Sequence, residues 1–442
     1  MGYGNRLPGM YDERPALPAP EPAGPMIRLT IRPGLLLAPA LVSLACGGDP
    51  TAPSPDPITQ LPRALSQVEA ELITASNAFG MDLMRRVAVG EEKPNVVLSP
   101  LSASMALGMT LNGAAGTTFD AMRGALGYGD LTQDEINAAY RDLLDLLTGL
   151  DETVEFTVAN AIWAKEGFAF RDAFYDAVTA AFDARVETRD FGDPATLDAI
   201  NGWVDEETNG YIPKLLDSID PDMVMFLVNA IYFDGSWTTR FDTGDTAPMA
   251  FQRADGSEVT VDMMTLRDHE APVIFADGYA AVELTYGGGA FGMVVVVPQN
   301  GTTARELAAG LDAAWWEGLV ASLSEAEVDR ISIPRFTLSY GKELNDALKA
   351  MGMEEAFLPG GADFTNLSPM GEELFIDQVM QKTFIQVDEA GTKAAAATSV
   401  GVGVTSLPPQ IVADRPFLFA IRERLSGTVI FTGLVGDPTA QG

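Results

Sequence analysis

A search for chemistry starts with histidine, cysteine and activated serine, and this chain has little of the first two. It carries one histidine, His269, and one cysteine, Cys46, among 442 residues. A single imidazole cannot build a histidine-rich metal centre, and a single thiol excludes an internal disulfide and any cysteine-cluster metal site. His269 lies in "TLRDHEAP", polar company expected of a solvated surface loop. No Gly-x-Ser-x-Gly elbow exists to give it a serine nucleophile. Ser339 and Lys342 have the Ser-x-x-Lys spacing of penicillin-binding enzymes, without the Ser-Asp-Asn or Lys-Thr-Gly partners that chemistry needs. Gly287, Gly289 and Gly292 match a dinucleotide fingerprint by spacing, but "MVVVVP" follows where a helix should meet the pyrophosphate. A hairpin turn is expected there instead. No catalytic residue, metal ligand or cofactor site is expected, and the chain does not read as an enzyme.

The most unusual stretch is "DEAGTKAAAATSVGVGVTSLPP", Asp388 to Pro409, which holds no large side chain before Leu407. Four alanines, Ala394 to Ala397, favour a helix, whereas the Val-Gly alternation from Val400 to Val404 does not. At period two, one face carries Thr392, Ala394, Ala396, Thr398, Val400, Val402 and Val404. The other carries Lys393, Ala395, Ala397, Ser399, Gly401, Gly403 and Thr405. The segment is either a strand with very small side chains or a flexible linker, and its residues alone leave both open.

The surrounding elements must position this stretch. Val68, Leu72, Ile73, Phe79, Leu83 and Met84 recur at helical spacing after Ser66. "PNVVLSPLSASMALGMTLNGAAG" predicts a short strand, a turn at Ser99-Pro100 and a buried helix. "FTVANAIWAK" and "MVMFLVNAIYFDGSW" predict strands apolar on both faces, as in a central sheet covered on both sides. "FGMVVVVP" and "RPFLFAIRER…GTVIFTGLVGDP" predict further strands, the last pair a hairpin, and "SYGKELNDALKAMGM" a helix. Strands and helices mix without a βαβ rhythm, so the fold class is α+β.

Composition sets limits on partners. A net charge of −34 with no basic run repels phosphate backbones, which excludes nucleic acid and heparin-like partners. At the N-terminus, residues 1–25 are rich in Pro and Gly and are expected to be unstructured, with translation starting at Met26. Residues 26–45 have a basic start, with Arg28 and Arg32, and an apolar run from Leu35 to Ala45 too short to span a bilayer. That is the layout of a signal peptide. Cys46 then opens a Pro/Gly-rich linker, residues 46–64, and the globular domain is expected over 65–442. The end of the signal resembles a bacterial lipoprotein signal, which makes Cys46 a lipidation site; the alternative is a free buried cysteine. A secreted or extracytoplasmic protein follows, tied to a bacterial envelope only by that lipid anchor.

Taken in order, several segments resemble the serpin family of serine protease inhibitors. "NVVLSPLSASMALGMTLNGAAGTT" resembles its Asn-x-x-x-Ser-Pro-x-Ser block through Asn95, Ser99, Pro100 and Ser102. "LVNAIYFDGSWTTRFD" resembles its strand with Asn229, Phe233, Gly235, Trp237 and Phe241. "IPRFTLSY", "ADFTNLS" and "RPFLFAI" are similar to three more blocks, and "VDEAGTKAAAAT" to the hinge before the reactive loop.

The resemblance implies helices around a large central sheet, two smaller sheets and an exposed reactive-centre loop. It implies a monomer that traps a target serine protease by suicide inhibition: the loop is cut and its first part inserts as a central strand. The hinge would comprise Glu389, Gly391, Thr392, Ala394, Ala395, Ala396, Ala397 and Thr398. Counting at family spacing forward from Gly391 and back from Pro416 both reach Thr405, so Thr405-Ser406 is the expected reactive bond. A small, uncharged Thr405 suits an elastase-like or subtilisin-like target. Ser99, Ser102, Asn229, Trp237 and Gln381 would lie beneath the main sheet, Gln381 standing where the family commonly has histidine. A non-inhibitory binding protein on the same fold is the alternative function.

Overall fold

The computed structural model describes residues 57–391 and 409–440. In chain order the first half contains α1 (Gln67–Gly90), β1 (Val96–Leu98), α2 (Pro100–Leu111), α3 (Gly116–Ala125), α4 (Gln133–Thr148), β2 (Val154–Lys165), α5 (Asp172–Phe182), β3 (Arg185–Arg189), α6 (Pro194–Glu207) and β4 (Met225–Gly235). The second contains β5 (Ala247–Gln252), β6 (Glu258–Ala276), β7 (Tyr279–Tyr286), β8 (Phe291–Pro298), α7 (Ala304–Ala309), α8 (Ala313–Ser322), β9 (Ser324–Pro334), β10 (Phe336–Glu343), α9 (Asn345–Leu348), β11 (Met380–Val387), β12 (Gln410–Val412), β13 (Phe417–Glu423) and β14 (Val429–Val435).

Local chemistry sets several boundaries. Ser66 and Glu69 form a reciprocal capping box at the start of α1, and Thr132 with Glu135 does the same for α4. Ser99 caps α2 and Pro100 occupies its first turn, where a missing N–H costs nothing. α2 buries nearly every side chain, so it runs through the core beneath the strands.

Among the described residues the strands form a large mixed sheet and two smaller ones. The large sheet has the order β1-β14-β13-β8-β7-β6-β9-β12, with β5 added on β6. Its centre is dry: every residue of β8, β13 and β14 is buried. The smaller sheets are β3-β2-β4 and β10-β11. One apolar core joins the helices to the sheets, and a second, smaller cluster fastens α6 onto β2 and β4 through Trp163, Trp203, Ile200 and Val228.

Two expectations are corrected. Residues 339–343 are not helical; they end β10, whose alternating Phe336, Leu338 and Tyr340 are buried against the core, and the helix starts only at Asn345. Tertiary pairing with β11 overrides the local helical spacing. His269 is a half-buried strand residue paired with Val328, so burial lowers its pKa despite the opposing charge of Glu270. The glycine run does form the turn between β7 and β8, with Gly287 and Gly289 at positive φ.

Candidate functional site

Among the described residues β4 bonds only to β2, and β11 only to β10. No ladder joins β4 to β11, although both edges line the same spaces. A strand edge with unpaired N–H and C=O groups is a template for another strand. Between these edges lies a slot, and its lower end opens into a cavity of about 420 Å³ bordered by α2, Asn229 and Gln381.

At the upper end the two edges are tied through the residues that follow β11. Gly391 bridges to Ser236, the Trp237 amide donates to the Ala390 carbonyl at 2.9 Å, and the Phe241 amide donates to the Glu389 carbonyl at 3.0 Å. Trp237 stacks on Tyr286 with ring centres 4.3 Å apart and donates Nε1–H to the Asp388 carbonyl at 2.9 Å. The Glu389 carboxylate pairs with Arg335 and accepts the Thr246 hydroxyl at 2.7 Å. Burial pushes this carboxyl up, and the bonds from Arg335 and Thr246 outweigh it and hold it below its ordinary range. Gly391 has φ 111°, and a Cβ there would sit 2.3 Å from the Gly235 carbonyl oxygen. Only glycine fits this backbone approach.

Beneath the slot, Ser99 meets Gln381. The Ser99 amide donates to Gln381 Oε1 at 3.1 Å and Gln381 Nε2 donates back to the Ser99 carbonyl at 2.8 Å. The Ser99 hydroxyl donates to Ile430 O at 2.8 Å and accepts the Ser102 amide at 3.3 Å. Ser102 and Asn229 line the cavity with Gln381, but Asn229 turns away from that pair and donates to Asn160 Oδ1 at 2.7 Å. Trp237 does not join them; it belongs to the upper end, because β4 carries it past the last paired residue of its strand.

Three participants escaped the reading of the sequence. Asn160 links Asn229 to the Phe182 carbonyl at 2.7 Å, Thr383 donates to the Val97 carbonyl at 2.8 Å, and Arg335 holds Glu389. Asn160 had a signal: an amide inside the apolar run "FTVANAIWAK" must find partners or pay for desolvation. Arg335 had none, since its partner is far along the chain. Thr392, Ala394, Ala395, Ala396, Ala397, Thr398, Thr405, Ser406 and Cys46 lie outside the described residues.

The family model described as "Serpin (serine protease inhibitor)" matches residues 74–438. The chain belongs to the serpin family. Relatives include neuroserpin of Gallus gallus, 31% identical over 375 residues, covering 82% of this chain and 90% of that one. Iripin-2 of Ixodes ricinus is 33% identical over 379 residues, covering 84% and 94%. An uncharacterised serpin-like protein of Thermococcus kodakarensis is 33% identical over 381 residues, covering 84% and 86%. Among solved structures, the thermophilic serpin tengpin in its native state superposes with a TM-score of 0.74 at 31% identity, covering 87% of this chain and 97% of that one. Human thyroxine-binding globulin complexed with its hormone gives 0.76 at 26% identity, covering 84% and 100%. This α+β chain therefore has the serpin fold, and serpins are in general protease inhibitors acting on target proteases and not enzymes. In this serpin the slot between β4 and β11 is free of a paired strand among the described residues.

Proposed function

We propose that this serpin is a suicide inhibitor of elastase-like or subtilisin-like serine proteases, with Thr405-Ser406 as its reactive bond. The observation that carries the reading is the pair of unbonded edges on β4 and β11 with Gly391 already hydrogen-bonded at their upper end. The protease serine attacks the Thr405 carbonyl carbon, the Thr405-Ser406 bond breaks, and the Ser406 amine leaves with a proton. The freed segment then zips into the slot before water can hydrolyse the acyl ester, and the attached protease is carried along and distorted.

The register supports this. In the proposed inserted strand, continuing the Ser236 and Asp388 bridges of Gly391 at antiparallel spacing would set Ala394 beside Phe233 and Ile385, and Ala396 beside Ile231 and Thr383. At the same spacing Thr398 would come level with Asn229 and Gln381. On both extrapolated registers Thr392, Ala394, Ala396 and Thr398 would share the inward face of the proposed strand.

The test is incubation of residues 65–442 with pancreatic elastase and with subtilisin, read on a denaturing gel and by mass spectrometry of the released peptide. A stable band of summed mass and a new N-terminus at Ser406 are expected. Cleavage without an adduct by either enzyme would favour the non-inhibitory reading. The N-terminal layout supports a secreted protein held at a bacterial envelope through lipidated Cys46, and intact mass of the protein from its native host checks the acyl group.

A further inference from the structure

The slot is not open along its whole length. Its lower cavity holds about 420 Å³, yet beside Tyr211, Tyr232 and Phe384 only about 20 Å³ of free space remains. Tyr232 belongs to β4 and Phe384 to β11, one on each unpaired edge. The Tyr211 ring stacks on both, with centres 5.7 Å from Tyr232 at 18° and 4.6 Å from Phe384 at 27°.

Tyr211 is held in place by the connection between α6 and β4. Asn201 of α6 donates to the Leu216 carbonyl at 2.9 Å and accepts the amides of Leu215 and Leu216. Lys165 of β2 donates to the Pro221 carbonyl at 2.6 Å, and Lys382 of β11 donates to the Lys214 carbonyl at 2.5 Å. This segment is thus a strap fastened on both sides of the slot, with one aromatic ring bridging the edges beneath it.

We infer that Tyr211 sets the rate of strand insertion: its ring clasps Tyr232 to Phe384, and the clasp must part before a strand can pass mid-slot. The inference rests on the insertion reading above. Stacked aromatic pairs contribute beyond their buried area, and both contacts bridge to Tyr211 from edges that insertion drives apart. A slower clasp leaves more time for hydrolysis of the acyl ester, so the same ring biases trapping against turnover.

The experiment adds a fluorescein-labelled synthetic peptide, TKAAAATSVGVGV, to the intact uncut chain and follows its uptake by anisotropy. Tyr211→Ala should take up the peptide about tenfold faster than wild type, the scale of two lost ring contacts, while Tyr211→Phe, which keeps the stack, stays at the wild-type rate. Phe384→Leu removes one contact from the opposite edge and should give an intermediate acceleration, which covers the case in which Tyr211→Ala does not fold. Equal rates in all four proteins, or no uptake in any of them, would overturn the clasp. Failure of the inhibitory reading is seen separately, as absence of a protease adduct with the wild-type chain, since peptide uptake needs no protease.

Discussion

Gln381 and Ser99 exchange two hydrogen bonds, Oε1 accepting the Ser99 amide at 3.1 Å and Nε2 donating to the Ser99 carbonyl at 2.8 Å. The side-chain amide thereby joins the start of β11 to the entry of α2, using one acceptor and one donor that carry no charge at any ordinary pH.

Replacing this amide by imidazole should therefore install a pH dependence. In Gln381→His the ring must stay neutral to accept the Ser99 amide, so its folded pKa would lie below the unfolded value of about 6.5. The stabilisation is present above that value and is lost as pH falls through the folded pKa. Urea midpoints at pH 8 and pH 5 should differ more for the variant than for wild type, in which His269, its pKa lowered by burial, acts in the same direction. An equal difference would refute this role for Gln381.

Gly391→Ala should loosen the upper end of the slot. The added Cβ meets the Gly235 carbonyl oxygen at 2.3 Å and the Trp237 nitrogen at 2.4 Å, on a backbone with φ 111° that alanine rarely adopts. Hydrogen exchange at the Trp237 amide, which bonds to Ala390, is the direct measurement. Faster exchange there, with the β13 and β14 amides unchanged, is expected; unchanged exchange at Trp237 would mean that the bridge is dispensable.

Ala396→Glu should turn the inhibitor into a substrate. In the proposed inserted strand this side chain would face inward beside Ile231 and Thr383, where an unpaired carboxylate is costly. Moles of inhibitor consumed per mole of protease inactivated should rise severalfold, while Lys393→Glu, on the outward face, should leave that ratio near wild type. Matching ratios for the two variants would rule out the assigned faces.

Acid should weaken the junction between α1 and β10. Burial pushes the Glu91 carboxyl up, but the Tyr340 hydroxyl at 2.6 Å and the Lys342 ammonium at 3.0 Å outweigh it and hold the group down at about 2. A folded pKa below the unfolded one means that the stabilisation is complete above the ordinary value of 4.5 and fades as pH falls toward 2. After solvent screening it amounts to about 1 kcal/mol. Comparing urea midpoints at pH 7 and pH 3, Glu91→Gln should lose less than wild type; an equal loss would place the acid sensitivity elsewhere.

Much of this protein was legible without coordinates. Ser66 and Glu69 mark a helix start by local hydrogen bonding, and Ser99-Pro100 marks another, because caps depend on residues three or four apart. The apolar runs of β8, β13 and β14 announced buried strands, whereas those of β2 and β4 announced strands that are in part only half-buried, and the order of the blocks pointed to the family. At period two the sequence also keeps Lys393, the one charge between Thr392 and Val404, off the face that carries Ala394, Ala396 and Thr398.

Contacts between distant segments were not legible. Nothing local says that β4 and β11 face each other without bonding, that Asn229 prefers Asn160 to Gln381, that Trp237 sits at the upper end with Asp388, or that Arg335 reaches Glu389. Periodicity even misassigned residues 339–343, since an amphipathic pattern is the same whichever neighbour it packs on. Composition and spacing determine what each segment can bury; which edge is left unpaired, and which ring closes the space between two edges, are settled only when the whole core has chosen its partners.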